Sequence, residues 1–254
     1  EYEPSSEYDS SFALQIFAAR EAVFKILAKE SLSIHEKLIV ILDMGSKIQQ
    51  CINTDEYDNI KSVVNDYLKE GIAHTLDETR NLSDSGQFED ISLQQGIRQI
   101  LYPYEEMEVL NPEWEVILKD IIDSLFEQMS DEEYNILNEE FGTYMVSRAY
   151  EYRQLLEYLV FRYFAKSIYD YDFLGKCQML VTNFFVIRQM DIIRWLDNHR
   201  EYSFKDRMDV VHIFSRQVEY SEDNIENLYE DFIFDDIFKT DSLIAILWID
   251  SENI

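Results

Sequence analysis

The chain has 254 residues, 46% hydrophobic and 14% aromatic, enough apolar surface for a real core and too much for global disorder. Its 51 acidic residues against 22 basic ones give a net charge of −29, which disfavours nucleic-acid backbones and anionic membranes and attracts a basic partner. Six glycines and three prolines are too few for the turns of a sheet-rich fold, so the expectation is an all-α bundle of about ten helices with no significant sheet.

Helical periodicity runs through most of the chain. Residues 10 to 29 place Phe12, Ile16, Ala19, Val23, Ile26 and Leu27 on one face. Ser33-Ile-His-Glu36 is a capping box, in which the hydroxyl accepts an orphan N–H and the carboxylate reaches back to the cap's own N–H. It opens a helix through Leu38, Ile41, Leu42 and Ile48, and another is expected from about Thr54 to Leu76. Asn81 to Gln87 is the one clear polar loop and marks a candidate subdomain boundary near 80–88 within a single helical domain spanning 1–254. A helix from about Phe88 to Leu101 is expected to end at Pro103, and Asn111-Pro112 to open the next, where a missing N–H costs nothing. Ser130-Asp-Glu-Glu133 is a second capping box. Two dense aromatic helices follow at 149 to 169 and 172 to 198. Ser203 and Ser221 start helices to about Val218 and Phe234, and an apolar segment near 241 to 249 closes the chain.

Motifs that would carry chemistry are missing. The six glycines are isolated, so there is no glycine-rich dinucleotide loop and no P-loop. The four histidines are not paired at metal spacing. Adjacent carboxylates such as Glu105-Glu106 and Asp235-Asp236 read as solvated helix faces in a chain this acidic. Cys51 and Cys177 are far apart and fit a reducing compartment, hence a cytoplasmic location. The longest apolar run, Leu243 to Ile249, is too short for a bilayer, so no membrane partner is expected.

One asymmetry stands out. Residues 148 to 216 hold 11 of the 22 basic residues but only 9 of the 51 acidic ones, in the most aromatic part of the chain. Arg162 and Lys166 are i, i+4 neighbours; Arg188, Asp191 and Arg194 form an i, i+3, i+6 set; His212, Arg216 and Glu219 follow one stripe. Two readings stand side by side. These groups are structural ion pairs within a helical core, or Arg162, Lys166, Arg188, Arg194, His212, Arg216 and Glu219 line a substrate or donor cleft. No catalytic residue and no metal ligand can be named.

The stretch from Glu157 to Asp170 (EYLVFRYFAKSIYD), with Leu174-Gly-Lys176, resembles the C-terminal helical region of bacterial flagellin lysine-N-methylases. So does Val211 to Glu226 (VHIFSRQVEYSEDNIE), and Ala18 to Leu27 and Ser33 to Leu38 are similar to the start of that region. The resemblance implies methyl transfer from S-adenosylmethionine to a lysine amine of flagellin or a similar protein. It also implies a cysteine-bound metal centre ahead of the helical region. This chain has only Cys51 and Cys177, so no cluster ligand carries over, and both cofactors are expected of an intact protein rather than of this chain. The chain begins at Glu1 rather than Met, and is expected to be a fragment or a shortened relative that is not active alone. In that setting Arg162, Lys166, Arg188 and Arg216 would lower the pKa of a substrate lysine or hold a donor carboxylate. The rival reading is a non-enzymatic helical module for a basic or amphipathic protein partner.

Overall fold

A computed structural model describes residues 10–84 and 91–252 of the protein. Among these the chain is all α, with no strand. Thirteen α segments join through short 3-10 and π turns into ten rods, as the periodicity and scarce turn residues require. The chain divides into two compact units, Glu1–Ser85 with Ala149–Leu180 and Gly86–Arg148 with Val181–Ile254. The loop expected over 81–87 lies partly outside the described residues, since 81 to 84 are helical and 85 to 90 are not described.

Unit 1 holds α1 (Ser10–Leu27), α2 (Ile34–Asn53), α3 (Ile60–Asp66), α4 (Ile72–Asp84), α8 (Ala149–Tyr163), α9 (Ser167–Asp170) and the first eight residues of α10 (Phe173–Asp197). The capping box of Ser33 and Glu36 opens α2 as expected. From Leu38 to Leu42 every side chain of α2 is buried, so this helix is apolar all round and packs on α1, α3, α4 and α8. The helix expected from Thr54 does not start there. Thr54 caps the end of α2, Asp55 takes a left-handed backbone (φ 57°), and a 3-10 turn at Tyr57–Asn59 leads into α3. The start of α10 is tied down by polar side chains. Gln49 of α2 accepts from the backbone N–H groups of Phe173 (2.8 Å) and Leu174 (3.1 Å), and Asp172 accepts from that of Gly175 (2.8 Å). The fully buried Lys176 ammonium meets Asp170 at 2.8 Å.

Unit 2 holds α5 (Leu93–Glu105), α6 (Pro112–Ile121), α7 (Asp131–Met145), α10 from Val181 onward, α11 (Phe204–Phe214), α12 (Glu222–Phe234) and α13 (Thr240–Glu252). Pro103 does not end α5, which runs on to Glu105. The ring is buried, and side-chain ties across the last turns offset the backbone bond that proline removes. Arg98 pairs with Glu105 and Tyr102 with Glu106 (2.9 Å). The caps at Asn111, Ser130, Ser203 and Ser221 all form.

The polar groups of α10 are what organise unit 2. Tyr134 donates to Gln189 (2.9 Å), and Tyr104 donates to Asn183 (2.9 Å) and accepts from the Thr182 hydroxyl (3.1 Å). Arg188 donates to the side chain of Asn138 (3.0 Å) and lies 3.7 Å from Asp250. Asp191, fully buried, accepts from both Arg207 and the Tyr202 hydroxyl, which ties α11 and the preceding loop to α10. Removing one partner of such a buried pair leaves a charge stranded. Arg207→Ala or Asp191→Ala is therefore expected to cost about 3–5 kcal/mol in urea unfolding. The double change Asp191→Leu with Arg207→Met should recover more than half of that loss. Single variants within about 1 kcal/mol of the parent, the range of exposed pairs, would contradict the buried pairing.

Candidate functional site

Three helices of unit 2 enclose a cleft of ≈ 630 Å³. Glu113, Val116, Ile117 and Asp120 of α6 form one wall; Ile193, Arg194 and Asp197 of α10 and Asp209, His212 and Ile213 of α11 form the others. Arg216 completes the lining, and a second cavity of ≈ 490 Å³, lined by Leu110, His212, Arg216 and Tyr220, shares His212 and Arg216 with the first. The floor is apolar, with Ile117, Ile193 and Ile213 all buried, while the charged groups sit toward the mouth. Four carboxylates and two guanidinium groups thus converge on one space of a size usual for ligand sites.

The walls are fixed by buried amides. In the segment before α6, the N–H groups of Leu110 (2.9 Å) and Asn111 (3.2 Å) donate to the Gln217 side chain, which in turn donates to the carbonyl of Glu108 (2.7 Å). Asn224 accepts from the Glu108 N–H (3.0 Å) and donates back to its carbonyl (3.0 Å). Gln217 lies in a π turn, Ser215–Glu219, that extends α11. The wider turn sets the phase of the stripe. His212, Arg216 and Tyr220, at i, i+4 and i+8, face the cavities, whereas Glu219 is carried to the buried side.

The sequence-derived candidates therefore part company. Arg194, His212 and Arg216 share the cleft. Glu219 is not in its lining, and Arg188 is buried against Asn138 and Asp250. Arg162 and Lys166 belong to unit 1, where their cationic heads lie over the Tyr163 ring at 5.5 and 5.3 Å. The site residues that sequence reasoning missed are Glu113, Asp120, Asp197 and Asp209, which nothing in the sequence separates from the rest of the 51 acidic residues. The clamping amides Gln217 and Asn224 were missed as well, because their burial depends on the turn.

Electrostatics sharpen the picture. Unit 2 carries 31 acidic and 10 basic residues, a net charge of −21, and unit 1 carries 20 and 12, a net charge of −8. Arg194, His212 and Arg216 make no side-chain hydrogen bond or ion pair to any described residue. Beside the cleft, burial works against ionisation of Asp206, but the Ser203 hydroxyl and N–H, the Asn198 amide and the field of Arg194 outweigh it and hold its carboxyl below the usual value.

The match that settles the family covers both units: residues 20–246 fit the FliB lysine N-methylase C-terminal domain. The chain belongs to that family. No curated protein and no solved structure matches it. Among the described residues of this methylase C-terminal domain, no three His, Cys, Asp or Glu side chains are grouped to hold a metal ion, and no helix is long and apolar enough to cross a membrane. Both cysteines are buried, and burial raises both thiols, Cys177 well above its ordinary value. A thiol reagent at pH 8 is accordingly expected to label neither cysteine in the folded domain and both in urea. Rapid labelling of one thiol under native conditions would contradict this placement.

Proposed function

We propose that the chain is the substrate-presenting helical region of a protein-lysine N-methyltransferase acting in the cytoplasm on flagellin or a similar lysine-bearing protein. Membership of the FliB C-terminal family supports the chemistry. The observation that carries the site is the set of carboxylates from three helices, Glu113, Asp120, Asp197 and Asp209, converging over an apolar floor. A lysine fits this arrangement. Its methylene stem covers the isoleucines and its ammonium meets the carboxylates. The −21 charge of unit 2 draws basic segments toward that mouth before contact.

S-adenosylmethionine would supply the methyl group. The described residues do not fit a glycine-loop donor site, because Gly45, Gly71, Gly96, Gly142 and Gly175 are isolated and all lie within helical segments, with no glycine-rich loop between a strand and a helix among them. Nor do they fit a metal centre, with two buried cysteines that share no group with other ligands. The role left to this chain is to bind and orient. A lysine amine must be neutral to attack, and a nearby positive charge favours the neutral form. In this lining the carboxylates outnumber Arg194 and Arg216 and favour the ammonium, so the cleft binds and orients the lysine in its charged form and does not itself activate it.

Asp197→Asn with Asp209→Asn is expected to weaken binding of a lysine-bearing peptide to the chain at least about tenfold by calorimetry, the loss of one good charged contact. Val116→Trp should fill the cleft to similar effect. The same changes in the intact methylase should lower kcat/KM for lysine methylation, followed by mass spectrometry, with the helical fold unchanged. Binding and methylation at parental levels would reject the cleft as the lysine site.

A further inference from the structure

Unit 2 has seven arginines in a background of 31 carboxylates. Five of them are engaged: Arg98 by Glu105, Arg148 by the carbonyl of Tyr202, Arg188 by Asn138 and Asp250, Arg200 by Glu140 at 2.8 Å, and Arg207 by Asp191. Arg194 and Arg216 make no hydrogen bond or ion pair with any described residue, and both line the lysine cleft. Arg194 is close enough to lower the pKa of Asp206 without pairing with it, so in this acidic unit two guanidinium groups with no hydrogen bond or close ion pair to the described residues line the same space. Each lies in the last turn of its helical segment, where the dipole tolerates a positive charge. The dipole explains why such a charge is tolerated there, but not why two planar, five-donor groups face into one cavity beside carboxylates.

We infer that the cleft recognises a segment of both signs: a lysine whose ammonium sits on the carboxylates and a neighbouring carboxylate side chain that sits on Arg194 and Arg216. This rests on the lysine reading above and adds the substrate class. A cleft of ≈ 630 Å³ is roughly 9 Å across if equant, which spans one to two helical turns or two to three extended residues. The acid must therefore lie within about six residues of the lysine in a helical segment, or about three in an extended one. His212, exposed in the same lining and one helical turn before Arg216, adds a hydrogen-bonding group to that space. A uniformly basic segment would bring its second cation against the arginines. The arrangement thus selects against polylysine-like stretches even though the unit as a whole attracts them.

The test uses fluorescein-labelled twelve-residue peptides with one central lysine and, four residues away, Glu, Gln or Lys, titrated into the chain and read by anisotropy. The Glu peptide is expected to bind about tenfold tighter than the Gln peptide, and the Lys peptide more weakly than either. Arg194→Gln and Arg216→Gln should each reduce the Glu preference toward unity while leaving the Gln peptide's affinity within about twofold. Arg216→Glu should invert the order of the Glu and Lys peptides. Equal affinity for the Glu and Gln peptides, or a preference that survives both arginine changes, overturns the inference while the lysine site stands. Failure of all three peptides to bind saturably overturns the lysine site itself, and the inference with it.

Discussion

The buried pairing of Asp191 with Arg207 and the Tyr202 hydroxyl is the constraint on which unit 2 depends. A carboxylate and a guanidinium taken out of water each lose several kcal/mol of hydration, recovered only if they stay together with their remaining hydrogen bonds satisfied. That requirement fixes α11 against α10 and, with it, the two walls that carry Arg194, Asp197, Asp209 and His212. The loop between the helices is shaped to the same end. His199 and Arg200 both take left-handed backbones (φ 57° and 69°), and the Arg200 guanidinium lies 5.3 Å from the centre of the Trp195 ring.

Along α10 the spacing of charged residues divides labour. Three residues of α-helix turn the chain about 300°, so successive members of an i, i+3, i+6 set drift roughly 60° around the axis. Arg188 and Asp191 face buried partners, while Arg194 has rotated far enough to reach the cleft. The first two hold the fold and the third lines the cleft. On α11 the π turn does the equivalent work, sending Gln217 inward to clamp the segment before α6 and Arg216 outward to the cavity. Of the two readings of the basic segment, structural ion pairs hold for Arg188 and Arg207, whereas Arg194 and Arg216 line a cavity instead.

Much of the fold is legible in the sequence because it rests on short-range chemistry. The caps at Ser33, Ser130 and Ser203 and the Asn111-Pro112 start are each written within four residues, and the structure forms every one. Features set by tertiary contacts are not. Pro103 looks like a terminator, yet α5 passes through it to Glu105 with the proline ring buried. A π turn adds its extra residue without a sequence mark, so the phase of the His212 stripe cannot be read and Glu219 is placed on the wrong side. The shift in charge that begins at 148 coincides with a unit boundary, but it runs on to 216 across the boundary at 180, so composition does not mark the division into two units of interleaved stretches. For the site, the basic members Arg194, His212 and Arg216 stand out because cations are scarce. Its acidic members are hidden by abundance.

The central claim is that the cleft of unit 2 receives the lysine-bearing segment, and hydrogen–deuterium exchange of the chain with and without a saturating lysine-containing peptide tests it most directly. Added protection is predicted in 112 to 121, 193 to 197 and 209 to 217, the stretches that wall the cleft, with little change elsewhere. Protection confined to unit 1 around Arg162 and Lys166, or none at saturation, would contradict it.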